Sequence, residues 1–272
     1  MTKVYILKYG KLKLDSNIIL ARDTYLTTEN ESYIKPKWLT IPVIGALVMT
    51  EGHNVLFDLG CMPNAMEENG WPKVMRISTP FYPEPDENPV SQLAKIGLTP
   101  KDIDTVIVSH THNDHFGNIA DFAHAKVYLP REDWVTGLIT LHSSTDPSTY
   151  GSYIPQMFNV RIREVHTVGI GEDFELYPGI EILTLPGHTL GLLGMAVHLK
   201  NSGTLLFPSD AVYSKANLGP PVHMSGSAAD TVRMRESFEK VRKLALQYCA
   251  KIIFPHDAAE LSTYRTIPEY YD

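Results

Sequence analysis

Cysteine is nearly absent: Cys61 and Cys249 are the only two in 272 residues, and they lie far apart. That excludes a disulfide framework or a thiolate-bound zinc cluster and suits a reducing compartment. Long apolar runs are missing as well. No stretch approaches the ~18 residues that span a bilayer, and the N-terminus, with its Lys3, has no sustained apolar segment ending in small residues. A cytoplasmic location without a membrane partner is expected. Positive charge is in deficit, with 24 Lys and Arg against 31 Asp and Glu, a formal net charge of -7 and a pI near 5.9. A nucleic-acid backbone demands the opposite, so nucleic acid is excluded as a partner. Repeats and low-complexity tracts are absent too, and the length fits one α/β domain over 1–272 with a sizeable core.

What the chain does have is concentrated in His110-Thr111-His112-Asn113-Asp114-His115, four potential metal ligands in six residues directly after the apolar run Thr105 to Val108. If the chain stays extended past Val108, side chains two apart share a side, so His110 and His112 converge on one ion. Asp114 and His115 are consecutive, and a helix beginning near Asn113 would turn them toward a second. A structural zinc site closes with four protein ligands, whereas a catalytic one leaves a position for water. A motif this rich suggests two shared metals and further ligands downstream.

Three later segments end an apolar run with a polar residue beside Gly or Pro: Ile182 to His188, Leu205 to Asp210, and Ile252 to Asp257. Each reads as a buried strand delivering one ligand from its C-terminal end, where sites on layered α/β folds gather. His188 would complete the His110/His112 ion, His256 the Asp114/His115 ion, and Asp210, with two oxygens, would bridge both. Imidazole and carboxylate without thiolate suit two divalent ions, zinc first, with iron, manganese or cobalt tolerated. The remaining histidines, His53, His124, His142, His166, His198 and His223, read as surface or satisfied core, with His223 alone near a candidate active-site loop.

Together these segments resemble the metallo-β-lactamase superfamily, with its His-x-His-x-Asp-His motif and later His, Asp and His ligands. The resemblance spans most of the chain: Val55 to Gly60, Ser109 to Gly117, Pro186 to Thr189, Ser209-Asp210 and Pro255 to Asp257. Within the superfamily the chain looks most like the N-acyl-homoserine lactone lactonases and 4-pyridoxolactonase. The carriers are Asp210-Ala211-Val212-Tyr213, the ending His256-Asp257 with Thr263-Tyr264-Arg265, and the opening Lys3 to Leu7 with Leu14-Asp15. The resemblance implies that Tyr213 stands beside the dinuclear centre and that Asp58 supports it from behind. Two departures, Asn113 where those lactonases carry an apolar residue and Phe116 where they carry a small one, bear on the substrate's substituent.

Strands are expected over Val4 to Tyr9, Val43 to Met49, Asn54 to Asp58, Thr105 to Ser109, Lys126 to Leu129, Val160 to Val168, Ile180 to Leu185, Leu193 to Leu199 and Gly203 to Phe207. Helices are expected from Asn88-Pro89 to about Ile96, over Glu132 to Leu141, and over Ala228 to Ala250, where Val232, Phe238, Val241 and Leu244 fall at helical spacing. Pro72 to Pro89 reads as irregular. The interleaving fits two mixed sheets packed face to face with helices outside, the four-layer αβ/βα sandwich that the resemblance implies. Gly219 to Gly226 is either a wall of the site's mouth or an ordinary linker. Phe81-Tyr82-Pro83 and the stretch Trp134 to Tyr153 are either core or an apolar wall.

The expected chemistry is hydrolytic opening of a small lactone by water activated between two ions. Tyr213 would donate to the developing oxyanion, and Asp114 would serve as ligand or as proton carrier to the leaving alkoxide. Alternatives are a 4-pyridoxolactonase-like enzyme, a thioesterase resembling glyoxalase II, whose C-terminal basic residues are not found here, a diiron oxidoreductase, and a metal-stabilised binding protein. Monomer and homodimer both stay open.

Overall fold

The computed structural model describes residues 1–21, 29–30 and 37–272. Alternation along its first strand decides the layering. In β1 (Lys3–Asp15), Val4 and Ile6 face one way and Tyr5, Leu7 and Tyr9 the other, and both sets are buried. A sheet apolar on both faces has to be covered on both. It continues through β2 (Trp38–Thr50), β3 (His53–Phe57), β4 (Phe81–Tyr82), β5 (Thr105–Ile107), β6 (Lys126–Pro130) and β7 (Glu164–Val168), in the order β4-β1-β2-β3-β5-β6-β7. Pairing is antiparallel from β4 to β3 and parallel from β3 to β7.

The second sheet comprises β8 (Phe174–Tyr177), β9 (Ile180–Thr184), β10 (Leu193–Leu199), β11 (Gly203–Phe207) and β12 (Lys251–Ile252), ordered β12-β11-β10-β9-β8. Between the sheets, Val4, Ile6, Val48, Val55 and Ile107 meet Ile182, Met195, Val197 and Leu205. Phe57 and Phe207 touch there with ring centroids 5.9 Å apart. Outside the larger sheet, the helices Pro89–Ala94 and Ile119–Phe122 bury Leu93 and Phe122 with Leu7 and Leu56. Outside the smaller, the helix Thr231–Gln247 lays Met234, Phe238 and Val241 on Leu183, Leu185 and Leu206. That spacing is one helical stripe, and Asp230 caps the helix by accepting from the Val232 and Arg233 N–H groups. The result is the expected αβ/βα sandwich. Among the described residues, no helix is long and apolar enough to cross a membrane.

Several expected bounds shift. The strand drawn to Ser109 stops at Ile107, the one drawn from Val160 starts at Glu164, and the long helix is shorter at both ends. The segment expected to be irregular holds the helix Lys73–Ser78 and the short β4, and Phe174–Tyr177 is a strand without a sequence signal because, as a half-exposed edge, it has no buried face to pattern. β1 and β2 run well past their expected ends, to Asp15 and from Trp38. A bulge between Lys8 and Lys11 carries Gly10 at φ +91 and keeps the pairing going beyond it.

Close approach fixes the turn after the histidine motif. Gly117 donates to the Gly60 carbonyl (2.8 Å), and a Cβ at Gly117 would lie 2.2 Å from the Met62 backbone nitrogen. Backbone cannot give way as a flexible side chain can. Gly117→Ala is expected to destabilise the fold by about 1–3 kcal/mol, as overpacking does. Urea denaturation checks this, and an unchanged midpoint would contradict the contact.

Candidate metal centre

Four strand ends build the site. After β5, His110 and His112 follow with Thr111 between them, in chain that is neither helix nor strand. The chain then turns, with the His115 and Phe116 N–H groups both donating to the His112 carbonyl (3.1 Å each). This turn, rather than the helix foreseen near Asn113, swings Asp114 and His115 to a second side. His188 follows β9, Asp210 follows β11, and His256 follows β12.

The donors fall into three groups, His110/His112/His188, His110/His115/Asp210 and Asp114/His115/His256, with the ligand atoms of each group within 4.8 Å of one another. Asp210 divides its oxygens. Oδ2 lies 3.5 Å from His188 Nε2 and 3.8 Å from His110 Nε2, while Oδ1 lies 3.0 Å from His256 Nε2 and 3.3 Å from His115 Nε2. His112 points Nδ1 inward, 3.0 Å from His188 Nε2. Asp114 Oδ2 lies 3.5 Å from His115 Nε2 and 3.7 Å from His256 Nε2.

These donors fit two divalent ions. His110 Nε2, His115 Nε2 and Asp210 Oδ1 are fully buried with no hydrogen-bond partner, a cost that a cation between them removes. Protonation is split across the site by the side chains alone. Burial, and then the neighbouring imidazoles, push His110 well below its usual value, and burial followed by His188 pushes His112 to about 3. At His115, burial works against the charged form, but Asp114, Asp210 and Asp58 overcome it and raise the value.

Outer contacts aim the rings. His115 Nδ1 donates to Asp58 Oδ2 (2.9 Å), His188 Nδ1 to the Ser227 carbonyl (2.9 Å) and His256 Nδ1 to the Pro42 carbonyl (2.7 Å), while His110 Nδ1 meets the Ser109 hydroxyl (3.0 Å). Asp58 also accepts from the Ser109 N–H and hydroxyl (2.7 and 2.9 Å) and from the Ser209 hydroxyl (3.3 Å). Asp58 and Ser209 both adopt left-handed backbone, φ 59 and 48, strain of about 1–3 kcal/mol each that this network holds in place. Gly187 sits at φ +139 against the Met234 backbone, where only a residue without Cβ fits. Around it, the Ala229 and Asp230 N–H groups donate to the His188 and Gly187 carbonyls.

Tyr213 is buried with its hydroxyl 3.1 Å from His188 Nδ1. Since that nitrogen gives its proton to Ser227 at shorter range, the phenol is a second acceptor there, and its own O–H meets the Asp210 carboxylate. The cavity measures about 230 Å³; His112, Asn113, Asp114, His188, Asp210, Tyr213 and His256 line one part, and Leu12, Leu14, Ile18, Ile41 and Met75 give it an apolar side.

Residues 43–252 match the family model described as the metallo-beta-lactamase superfamily. The chain belongs to the metallo-β-lactamase superfamily. Its relatives in that superfamily include the N-acyl homoserine lactonase AiiB of Agrobacterium fabrum, 30% identical over 96% of this chain and 95% of that protein. A solved N-acyl homoserine lactone hydrolase, with the product N-hexanoyl-L-homoserine at its catalytic metal centre, matches with TM-score 0.80 at 23% identity, over 99% of this chain and 98% of that one. The dizinc quorum-quenching lactonase AidC matches with TM-score 0.67 at 20% identity, over 94% and 87%. The two structures show that the superfamily fold is shared.

All seven residues singled out as ligands, His110, His112, Asp114, His115, His188, Asp210 and His256, meet in this superfamily's layered scaffold, with Tyr213 beside them. The six other histidines stay apart: His53 pairs with Asp104, His166 with Glu164, His198 with Glu181, His124 and His142 meet backbone carbonyls, and His223 is exposed. The open readings of the wall segments now divide: none of Gly219 to Gly226 lines the cavity, although the next residue, Ser227, does, and of Trp134 to Tyr153 only Gly151 and Ser152 do. Phe81 packs on Trp71, and Phe116 is core against Trp134 and Phe158, so neither touches substrate space, whereas Asn113 does. The apolar side from β1, β2 and the helix Lys73–Ser78, and the carbonyls of Pro42 and Ser227, were missed. A carbonyl leaves no mark in sequence, but Ser109 and Ser209, each directly before a ligand, were open to notice.

Asn accepts left-handed backbone as readily as Asp, so Asp58→Asn removes charge with little change of shape. It is expected to weaken metal binding about 10- to 100-fold, the usual cost of losing an outer carboxylate. Competition with a chelator measures it, and unchanged affinity would contradict the role given to Asp58.

Proposed function

We propose that this chain is a lactone hydrolase of the N-acyl homoserine lactone type, a cytoplasmic quorum-quenching enzyme that works with two zinc ions. His110, His112 and His188 would hold one, Asp114, His115 and His256 the other, and Asp210 both. Such ions supply a water nucleophile at neutral pH and polarise an ester carbonyl. The observation that carries the reading is the buried Tyr213 hydroxyl set beside the divided Asp210 carboxylate in one cavity.

The chain's own residues then divide the work. Burial first, and the Asp210 charge second, raise the Tyr213 pKa well above its usual value, so it stays protonated and donates to the carbonyl oxygen as charge builds there. Asp114 borders the cavity between His115 and His256, where its second role would be to carry a proton to the alkoxide released on ring opening. Leu12, Leu14, Ile18, Ile41 and Met75 receive the apolar acyl substituent and keep bulk water from the ester. Similarity to AiiB over nearly the whole of both chains supports the substrate class. Cys61 and Cys249 are both free thiols, which supports a reducing compartment.

Ring opening releases a proton, so pH-stat titration of metal-quantified protein against a substrate panel tests the reading. N-hexanoyl-homoserine lactone should be opened faster than 4-pyridoxolactone, and a glutathione thioester should be left intact. A fully loaded protein that opens no lactone would contradict it. Tyr213→Phe should lower kcat about 100-fold with both ions retained, as loss of an oxyanion donor does, whereas Asp210→Asn should lose ions and turnover together. Elemental analysis beside the titration separates the two effects.

A further inference from the structure

Four of the five histidines at the centre have an outer polar partner, and His112 has none among the described residues. Ser109, Asp58, Ser227 and Pro42 hold His110, His115, His188 and His256, but no group hydrogen-bonds His112 Nε2. His112 is also the least buried of the five. An imidazole that must present Nδ1 to an ion needs its plane fixed in some other way.

The other way runs through Asp133, a carboxylate 0% exposed on the helix Arg131–Ser143, far from the ligands in sequence and outside the reaction. Its Oδ2 accepts from the Thr111 N–H (2.7 Å) and the Thr111 hydroxyl (2.6 Å). Thr111 is the residue between His110 and His112, and its hydroxyl is turned to the helix that carries Asp133. Asp133 Oδ1 accepts from the Tyr153 hydroxyl (2.8 Å), and the Tyr153 ring stands edge-on to the His112 imidazole, centroids 5.2 Å apart. One carboxylate thus grips the backbone beside His112 and the ring packed on it.

We infer that Asp133 is the positioning residue for His112, clamping it through Thr111 and Tyr153 in place of the outer hydrogen bond that the other four histidines have. The clamp has a second effect. Gly151 and Ser152, next to Tyr153, border the substrate cavity, so the same carboxylate ties that wall to the metal motif. Among the described residues no ion pair reaches Asp133, and its hydrogen bonds come from three neutral donors, so the grip fails as a unit when the carboxylate is altered.

The inference rests on His112 being a metal ligand, and the test keeps the two claims apart. Wild-type protein and Asp133→Asn, Tyr153→Phe and Thr111→Val variants are loaded with cobalt(II), titrated with a chelator, and followed by visible absorbance and elemental analysis. Circular dichroism and thermal melting run in parallel. The wild type should bind two ions per chain; fewer would sink the ligand assignment itself. Asp133→Asn should lower the affinity for one ion 10-fold or more and leave the other within about threefold. Tyr153→Phe and Thr111→Val, each removing one hydroxyl, should weaken the same ion by less. Should Asp133→Asn not fold, the two milder variants carry the test on the same criterion. A lower melting temperature with both affinities unchanged, or both weakened equally, would overturn the inference, because a merely structural carboxylate has no reason to favour one ion.

Discussion

Everything at this centre turns on Asp210 giving one oxygen to each of two histidine groups. A buried carboxylate is costly unless paired, and here the pairing is divided: Oδ1 toward His115 and His256, Oδ2 toward His110 and His188. The division needs the second sheet to deliver Asp210 between groups that come from both sheets. The apolar layer that joins them, with Phe57 on Phe207, belongs to the site as much as to the fold. Packing of that kind is dense and resists deformation, so donor spacing inherits the rigidity of two sheets.

Positioning costs are met locally. Asp58 and Ser209 take left-handed backbone, each at the residue whose side chain must reach the Ser109 network, and the hydrogen bonds between them offset the strain. Ring aiming is spread over unlike partners: a carboxylate for His115, backbone carbonyls for His188 and His256, a hydroxyl for His110. Mixed partners let five imidazoles crowd together without gathering more negative charge than the ions balance. The proposed chemistry adds the Tyr213 hydroxyl, 3.1 Å from His188 Nδ1, and a cavity apolar on one side and rich in donors on the other.

Much of this was legible in the chain before folding. Each of His188, Asp210 and His256 ends an apolar run beside Gly or Pro, because a strand that delivers a ligand at its end must be buried before it and turn after it. The strand expected over Val4 to Tyr9 is likewise there, inside β1, although the burial of Val4 and Ile6 on one face and Tyr5 and Leu7 on the other shows only in the fold. What stayed hidden has a physical reason in each case. Pro42 and Ser227 act through carbonyls that every residue possesses, and Asp133 reaches Thr111 only because a helix brings it back over the motif. Phe174–Tyr177 is an edge too exposed to carry a pattern. The cavity's apolar side was missed because nothing in the sequence around Leu12, Leu14 and Met75 shows which apolar residues border a void.

X-ray absorption at the zinc edge, on protein loaded to saturation, tests the central claim most directly. Two ions bridged by one carboxylate should show a metal–metal distance of about 3.5–4 Å within a shell of nitrogen and oxygen only. A single ion per chain, sulfur in the shell, or no metal–metal scattering at full occupancy would contradict the account of Asp210 as the residue shared by both.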